Sequence, residues 1–375
     1  MNFAEMLSFA DIGQLTRIAS SYQCECSGHS KNELIQSILS TVGRRDILDR
    51  QVREMKLEDL RFLNFLLFEQ NNTFSLEELV PRVRQANFSV NPGEESVNPR
   101  EVIARFKQYG WLFNGYSQQT KFLFQVPEDL KRRFSESLTR RFQERLIVVD
   151  EPEVYRDEQN LLVEDTYQFL QYVHHHQVPL TSEGVMYKRN LQQLLDLFAV
   201  REEMVGRGGW RFGYGRRFKE YPNRFSLIYD YCYFNRLIEE DESMLRLSPE
   251  GREKLEAGRR EEPADLYRFW LRLYKGAIPN LVSLVHWTDR LAHRWTTASS
   301  LFEVIGPFIK PYYYDTPQSI FETRLLQMMM HLGIIRVGED RSFGKVIRIN
   351  DAGSRMIHGV QVKHEDMIEL KERRR

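Results

Sequence analysis

The residues best suited to chemistry lie in one glycine-rich stretch, RGGWRFGYGRRFKEYPNRF, at positions 207–225. From Arg201 to Arg224 there are seven basic and three acidic residues, in a chain whose formal net charge is zero. Guanidinium groups bind phosphates through paired hydrogen bonds, aromatic rings stack on bases, and glycines let the backbone approach a ligand closely. These residue types predict a nucleic-acid contact. The residues expected to make it are Arg207, Trp210, Arg211, Arg216, Arg217 and Lys219.

A second interpretation of this stretch needs no ligand. Its aromatic side chains would pack on the core as an ordered insertion, and its arginines would pair with an acidic segment at 149–160. The cations between Arg207 and Lys219 repel one another unless an anion or acidic neighbours compensate their charge. If nucleic acid binds, we expect exposed arginine side chains. Lys188 and Arg189, at the start of the preceding predicted helix, would then extend the surface and hold phosphate at a helix N-terminus.

No pattern in the sequence predicts catalysis. Nucleotide hydrolysis needs a glycine-rich loop ending in Gly-Lys-Ser/Thr, and the glycine cluster at 206–209 lacks the lysine. No Gly-x-Ser-x-Gly motif presents a nucleophile. The acidic run at 239–242 has no apolar strand leading into it, so we expect a solvated loop. We therefore expect no enzyme activity and no cofactor.

Two groups of metal-ligand residue types occur, and neither predicts a metal site. Cys24, Cys26 and His29 offer three soft ligands, whereas structural zinc needs four, usually with a Cys-x-x-Cys spacing. We expect these to be small residues in the core of a helix-loop-helix. The histidines at 174–176 follow an amphipathic helix pattern, so we expect one ring to face the core and the others to face solvent.

Composition bounds the class of protein. The chain has 375 residues, 42% hydrophobic and 28% charged, which is ordinary for globular protein and sufficient for about two to four domains. Basic and acidic residues are equal in number, at 53 each, so a nucleic-acid site must be local. Three cysteines indicate a reducing compartment. The N-terminus lacks a secretion pattern and no apolar run approaches about 20 residues, so we expect a cytoplasmic protein without a membrane partner.

The elements that would position these residues are mainly helices with small β-hairpins, which makes an α+β class. Residues 1–48 predict a helical hairpin in which Ser30 and Glu33 form a capping box. Residues 49–148 predict three helices, the third starting at Asn98, and then a hairpin with Asn114-Gly115 at a turn. Three helices followed by a hairpin is the order of a winged helix.

The rest of the chain predicts a linker and two similar domains. An acidic linker is expected at 149–160, where Pro152 interrupts any helix and protease should cut first. We then expect a winged-helix-like domain at 161–262 that carries the basic and aromatic stretch, a third winged-helix domain at 263–360, and a charged tail at 361–375. In the third domain, the tyrosines at 312–314 and the methionines at 328–330 are expected to pack in the core.

A weak internal repeat connects these two domains. The segment RLSPEG at 246–251 is followed by Leu255, and RINDAG at 348–353 is followed by Ile357. In both, a polar capping residue would start a short helix after a long apolar helix and a turn. Duplicated winged-helix units predict this similarity.

The first winged-helix domain also holds candidate contacts. Helix-turn-helix relatives place one helix in the major groove, and winged helices lay the wing on the backbone. The third helix would present Arg100, Arg105 and Lys107, and the wing would present Lys121. The apolar residues of that helix are needed for the core, which leaves few positions to read bases.

The N-terminal hairpin resembles the SAP and Rho N-terminal type of helix-extended-loop-helix. The residues that carry the resemblance are Leu15, Ile18, Ala19, Ser27, Gly28, Lys31, Glu33, Leu34, Ile35, Ile38 and Leu39. Those families bind DNA or RNA, so the resemblance implies a nucleic-acid contact at Lys31.

A longer resemblance covers residues 160–360. The segments VPLTSEGVMYKRNLQQLLDLF, LSPEGREKL and GIIRV to INDAGSRMI are similar to the helicase-associated N-terminal region of bacterial relatives of the XPB helicase. In such proteins this region precedes an ATP-driven motor and consists of winged-helix-like repeats. This sequence contains no motor motif, so the resemblance implies an accessory of a DNA transaction.

The sequence therefore predicts a non-catalytic, DNA-binding accessory protein of replication, repair or transcription. Its partners would be DNA and a helicase, polymerase or other protein of DNA metabolism. The alternative is a winged-helix scaffold that binds proteins and recruits a separate helicase or polymerase, for which a neutral net charge is natural.

Overall fold

The computed structural model of the chain describes residues 1–25, 30–69, 71–88, 98–206, 211–241, 243–362, 366–368 and 370. It is 55% helix and 10% strand, and its sheets are small and antiparallel. The predicted mainly helical α+β class is confirmed at this level. The chain forms two compact units, Met1–Arg145 and Leu146–Arg375. The finer division into the predicted domains stays a prediction.

The first unit begins with four helices. They are α1 (Phe3–Phe9), α2 (Ile12–Ser21), α3 (Lys31–Gly43) and α4 (Arg45–Glu54). The Ser30 side chain accepts a hydrogen bond from the Glu33 amide and starts α3 where the sequence predicted. Leu15 and Ile18 of α2 are buried, as are Leu34 and Ile38 of α3, so the hairpin packs through its predicted apolar stripes.

A module of helices and one small sheet completes the first unit. Its elements are α5 (Leu57–Phe68), α6 (Leu76–Ala86), α7 (Pro99–Gln108), β1 (Phe113–Asn114), β2 (Phe124–Gln125) and α8 (Glu128–Gln143). Phe74, between α5 and α6, pairs with Phe124, so β2 lies between Phe74 and β1. The predicted hairpin is present. Residues 115–123 join its strands, so Asn114-Gly115 only begins a longer loop.

The second unit repeats this order. After β3 (Tyr155–Arg156), one further module contains α9 (Leu161–His175), β4 (Val178–Pro179), α10 (Lys188–Leu197), α11 (Asn223–Phe234), β5 (Ile238–Asp241), β6 (Met244–Leu247) and α12 (Pro249–Glu256). Its sheet order is β4-β6-β5. Again the strand that follows the first helix pairs with the last strand of the hairpin.

The final module follows α13 (Pro263–Tyr274). It contains α14 (Leu281–Leu291), β7 (Thr296–Thr297), α15 (Ala298–Ile305), a third helix at 317–331, β8 (Ile335–Asp340), β9 (Gly344–Ile349) and α18 (Asp351–Gly359). The third helix joins α16 (Pro317–Ser319), a π-helical turn at Ile320–Leu326 and α17 (Gln327–His331). The sheet order is β3-β8-β9-β7, so β3 adds an edge strand to this module.

The internal repeat is confirmed in atomic detail. Ser248 accepts a hydrogen bond from the Gly251 amide at 2.9 Å, and Asn350 accepts one from the Gly353 amide at 2.7 Å. The Ser248 amide donates to the Leu237 carbonyl and the Asn350 amide to the Ile334 carbonyl, at 3.2 and 3.1 Å. The two short helices thus start in the same way, and each start is bonded to a turn of the same geometry.

The segment at 149–160 is not the free acidic linker that the sequence predicted. The Val149 amide donates to the Trp295 carbonyl at 2.9 Å, and β3 pairs with β8. Glu158 is 1% exposed. A polar segment becomes part of the fold here because a hairpin edge offers backbone partners and the interior offers cations for its carboxylates.

Three smaller expectations can also be compared with the structure. The acidic run predicted as a solvated loop forms β5 at Ile238–Asp241, and residue 242 lies outside the described residues. All three histidines at 174–176 are exposed, because α9 ends there, so none faces the core. The methionines at 328–330 are buried as predicted, whereas Tyr313 and Tyr314 are 81% and 69% exposed and do not pack in the core.

None of the helices in the described part of the chain combines the length and apolar character that a bilayer crossing needs.

Candidate nucleic-acid interface

The third helix of each module differs in what it leaves exposed. In α11, every residue from 224 to 232 is buried. In the third helix of the final module, Ile320, Phe321 and the stretch 328–331 are buried. Helix α7 instead buries one stripe and leaves Arg100, Ala104 and Gln108 exposed on another. Of the three third helices, as far as their residues are described, α7 is therefore the one that could lie in a groove.

Three aromatic rings are exposed in the same unit as α7. Phe9, Tyr116 and Phe122 are 58%, 63% and 73% exposed. The rings of Phe9 and Tyr116 stack with centroids 4.4 Å apart and planes 15° apart. Exposed apolar rings edged by polar groups mark interaction surfaces, and bases stack on such rings. Tyr116 and Phe122 belong to the loop of the hairpin, which is the predicted wing.

Lysines lie at or next to two of these rings. The Lys121 ammonium lies 5.0 Å from the Phe122 ring and donates to the Gln118 amide oxygen at 2.9 Å. The Lys31 ammonium donates to the Ser8 carbonyl, next to Phe9, at 2.7 Å. Burial lowers the pKa of Lys107, and the nearby charge of Arg17 lowers it further. The charge of Asp11 acts in the opposite direction and raises it.

We define the α7–hairpin surface as these rings and lysines together with Arg17 and Lys107, whose ammonium lies 5.7 Å from the Phe124 ring of β2. Its residues are Phe9, Arg17, Lys31, Lys107, Tyr116, Lys121 and Phe122. Lys31, Lys107 and Lys121 come from the sequence prediction. Arg17 and the three rings were missed, because their neighbourhood depends on how α1 and α2 pack beside α7.

The other two predicted cations of α7 have different positions. Arg100 is exposed near the start of the helix. Arg105 makes two hydrogen bonds to Asp59, at 2.6 and 2.9 Å, and the Asp59 carboxylate is 7% exposed. Removing Arg105 would leave a buried carboxylate without its cation, so this residue supports the fold.

The arginines predicted as exposed contacts in the second unit are largely buried, which corrects that expectation. Arg216 binds the Glu240 carboxylate through both terminal nitrogens at 3.0 Å, and its guanidinium lies 3.5 Å from the Tyr233 ring centroid. Arg217 donates to Glu240 at 3.2 Å and to the Glu183 carbonyl at 2.8 Å. The side chains of Arg216 and Arg217 are 19% and 7% exposed. Their compensating charge lies on β5.

The neighbouring residues pack in a similar way. Arg211 donates to the Tyr221 carbonyl at 2.8 Å and also binds the Asn223 side chain. The Phe212 ring lies among those of Tyr312, Tyr313 and Tyr314. Residues 211–225 thus pack in an ordered way, as in the second interpretation. Arg216 and Arg217, however, pair with Glu240 of β5 and not with the acidic segment at 149–160, which Arg224 reaches through Glu158. Lys219 is exposed, and Arg207 and Trp210 lie outside the described residues.

Lys188 and Arg189 are exposed at the first two positions of α10, as their prediction requires. No side chain caps this helix. The phosphate contact predicted for them stays a prediction.

A buried ionic network in the second unit was not predicted. Arg224, which has no exposed surface, lies 2.6 Å from Asp165 and 3.5 Å from Glu158. Glu158 also binds His331 Nδ1 at 2.9 Å and Arg156 at 2.6 Å. Burial raises the pKa of Glu158, but the hydrogen bond to His331 and the charges of His331, Arg224 and Arg156 outweigh it and leave a lowered pKa.

The cysteine and histidine group of the N-terminal hairpin is described in part. The Cys24 thiol lies 3.5 Å from the Thr41 hydroxyl, and Cys26 and His29 lie outside the described residues. In the part of the chain that the structure covers, no three metal-ligating side chains come together.

Comparison of the chain with protein-family models, with curated proteins and with solved structures found no match in any of the three.

Proposed function

We propose that the chain is a non-catalytic, DNA-binding accessory protein of a DNA transaction, built from winged-helix modules. The order helix, extended segment, helix, helix, hairpin supports this, since it occurs three times, at 57–125, 161–247 and 281–349. The extended segment is a single bridge residue, Phe74, in the first module and a strand in the other two, and in each module it pairs with the second strand of the hairpin. The resemblance to the helicase-associated region further supports a role beside a separate helicase or polymerase, and the low cysteine content supports a cytoplasmic location.

The observation that carries the proposal is the α7–hairpin surface. It combines Lys107 of α7, a helix that has an exposed face of its own, with a hairpin loop that carries two exposed rings and Lys121. Helix α7 would approach a groove, the hairpin loop would lie along the backbone, and the cations would bind phosphates. We therefore move the main DNA contact from the basic and aromatic stretch to the first unit.

The test replaces Lys107 and Lys121 together by glutamine, which keeps much of each side chain's apolar stem. Each phosphate contact contributes a slope of about −0.9 to log K against log salt for duplex DNA. We expect the double variant to bind a labelled duplex more weakly and to have a slope smaller in magnitude by about two. Fluorescence anisotropy over a series of salt concentrations measures both quantities.

The matched control is Arg45→Gln with Arg132→Gln. These residues also belong to the first unit, and their side chains are 72% and 74% exposed. This variant removes the same charge outside the α7–hairpin surface and should bind DNA with nearly the original slope. An equal effect in both double variants would refute the proposed surface, and wild-type protein without salt-dependent DNA affinity would refute the function.

A protein-binding scaffold is the second candidate, and one observation favours it. Tyr313 and Tyr314 are exposed on a turn closed by two hydrogen bonds between the backbones of Tyr312 and Asp315. Tyr313 adopts a positive φ of 50°, a costly conformation for a residue with a side chain. Asp315 holds the turn through Arg324 at 2.9 Å. Rigidly presented exposed rings suit a protein contact, and the salt series separates this function from DNA binding.

A further inference from the structure

A cleft of about 490 Å³ lies in the second unit beside the buried ionic network. Arg156, Arg201 and Arg211 line it together with Glu202, Gln327 and His331. Its volume falls in the range of about 300–1,000 Å³ that is typical of sites for small molecules. All of these residues belong to the same compact unit.

His331 contributes an unused polar atom to this place. The residue is 3% exposed, and its Nδ1 is held by the Glu158 carboxylate at 2.9 Å. Its Nε2 is buried and has no hydrogen-bond partner. A buried polar atom without a partner is costly, and such atoms in native proteins call for a ligand, a water or an ion. The bond to Glu158 orients the imidazole, and His331 is one of the residues that line the cleft.

Three arginines and two glutamates line the cleft, and Arg156 pairs with Glu158. Arg201 is exposed. Arg211 is half-buried and donates to the Tyr221 carbonyl and the Asn223 side chain. Burial and the charge of Arg324 lower its pKa, whereas the charge of Glu202, in the same cleft, raises it. The Glu202 carboxylate already accepts the backbone amides of Arg224 and Phe225, at 2.9 and 2.8 Å, at the start of α11. Glu203 is exposed at the edge of the cleft.

We propose that this cleft binds a phosphoryl group, held by the guanidinium groups of Arg201 and Arg211 and by Nε2 of His331. Arginine forks match the oxygens of phosphate, and Nε2 of His331 can donate to one of these oxygens only when both ring nitrogens carry a proton. The ligand is a small phosphorylated molecule or a phosphate of nucleic acid, which share this chemistry. The site does not depend on the α7–hairpin surface, so either can exist without the other.

The experiment titrates the full chain with inorganic phosphate and with pyrophosphate by calorimetry at constant ionic strength, with chloride as the blank. Histidine labelled with ¹⁵N reports whether the Nε2 resonance of His331 moves. We expect saturable binding, a shift of that resonance, and binding about tenfold weaker in Arg201→Ala, the loss of roughly one charge-assisted contact. Arg201 is exposed, so this variant should fold. A short oligonucleotide without terminal phosphate separates the two sources, since its binding here would identify a nucleic-acid backbone.

The control variant is Arg252→Ala, which removes an exposed arginine from a different cleft of the same unit. It should bind phosphate as the wild type does. If the melting temperature of His331→Gln shows that this variant folds, it should not bind phosphate. If His331→Gln does not fold, the comparison of Arg201→Ala with Arg252→Ala tests the proposal. The proposal is overturned if neither phosphate nor pyrophosphate nor the oligonucleotide binds, or if Arg201→Ala and Arg252→Ala bind equally well.

Discussion

At the scale of single residues, Glu240 determines what the arginines of residues 211–225 can do. Its carboxylate binds Arg216 and Arg217 and accepts the Tyr229 hydroxyl at 2.9 Å. Burial raises the pKa of Glu240, but the hydrogen bond to Arg216 and the charges of both arginines lower it further than burial raises it. The carboxylate is therefore ionised at neutral pH, and the two guanidinium groups are committed to it.

Replacing Glu240 by alanine should destabilise the second unit. It would leave two poorly exposed guanidinium groups without their carboxylate, a loss of about 3 kcal/mol in the free energy of unfolding. Denaturant unfolding measures this loss, and DNA affinity should not change. The matched control is Glu239→Ala, next to it and exposed, with an expected change within about 0.5 kcal/mol. If Glu240→Ala kept full stability, these arginines would be free to bind a ligand, and their predicted role would return.

At the scale of elements, the repeated turn explains why two glycines occur at corresponding positions. A Cβ on Gly251 would collide with the carbonyl of Leu237, and one on Gly353 with the carbonyl of Ile334. Neither carbonyl can move away easily, because each accepts a backbone hydrogen bond from the residue that caps the next helix. In both modules the backbone of the short helix therefore lies in direct contact with the turn that joins the third helix to the hairpin.

Gly251→Ala and Gly353→Ala should each lower the free energy of unfolding by about 2–3 kcal/mol, because backbone must shift to admit the methyl group. Thermal and denaturant melts of the full chain measure the effect. Gly359→Ala is the matched control, since a Cβ there meets nothing within 4 Å. Similar stability in all three variants would contradict the shared geometry of the two turns.

At the scale of the whole molecule, the residues that follow Arg145 belong to the second unit from its start. The Ile147 amide donates to the Ser300 hydroxyl at 3.0 Å, and β3 pairs with β8. Glu158 then reaches the interior, where it meets Arg224 and His331. The segment at 149–160 thus supplies both an edge strand and a buried charge to elements far along the chain.

A fragment that spans 146–375 should fold by itself, whereas 161–375 should be less stable by at least about 3 kcal/mol, because it loses the carboxylate of Glu158 from a buried network. Circular dichroism melts compare the two. Glu158→Gln in the longer fragment is the control that keeps β3 and removes the charge alone. Equal melting temperatures for both fragments would mean that the segment is dispensable, as a linker would be.

By itself, the sequence determined the local parts of this protein. Caps such as Ser30, Asn98 and Ser248 begin helices where they were predicted, because a cap involves residues within one turn of the chain. Apolar periodicity identified the third helices and the methionines of the core. The repeat at 246–251 and 348–353 could be predicted for the same reason, since each copy consists of consecutive residues.

The tertiary structure alone decided which charges meet. Arg216 pairs with a residue 24 positions away, and His331 with Glu158, 173 positions away. Basic and acidic residues have no preferred spacing across such separations, so composition indicated an exposed basic surface where the fold makes internal pairs. Likewise, α11 carries the third-helix pattern of its module but is buried by its neighbours. Burial depends on what packs against an element, and that contact is fixed only when distant parts of the chain come together.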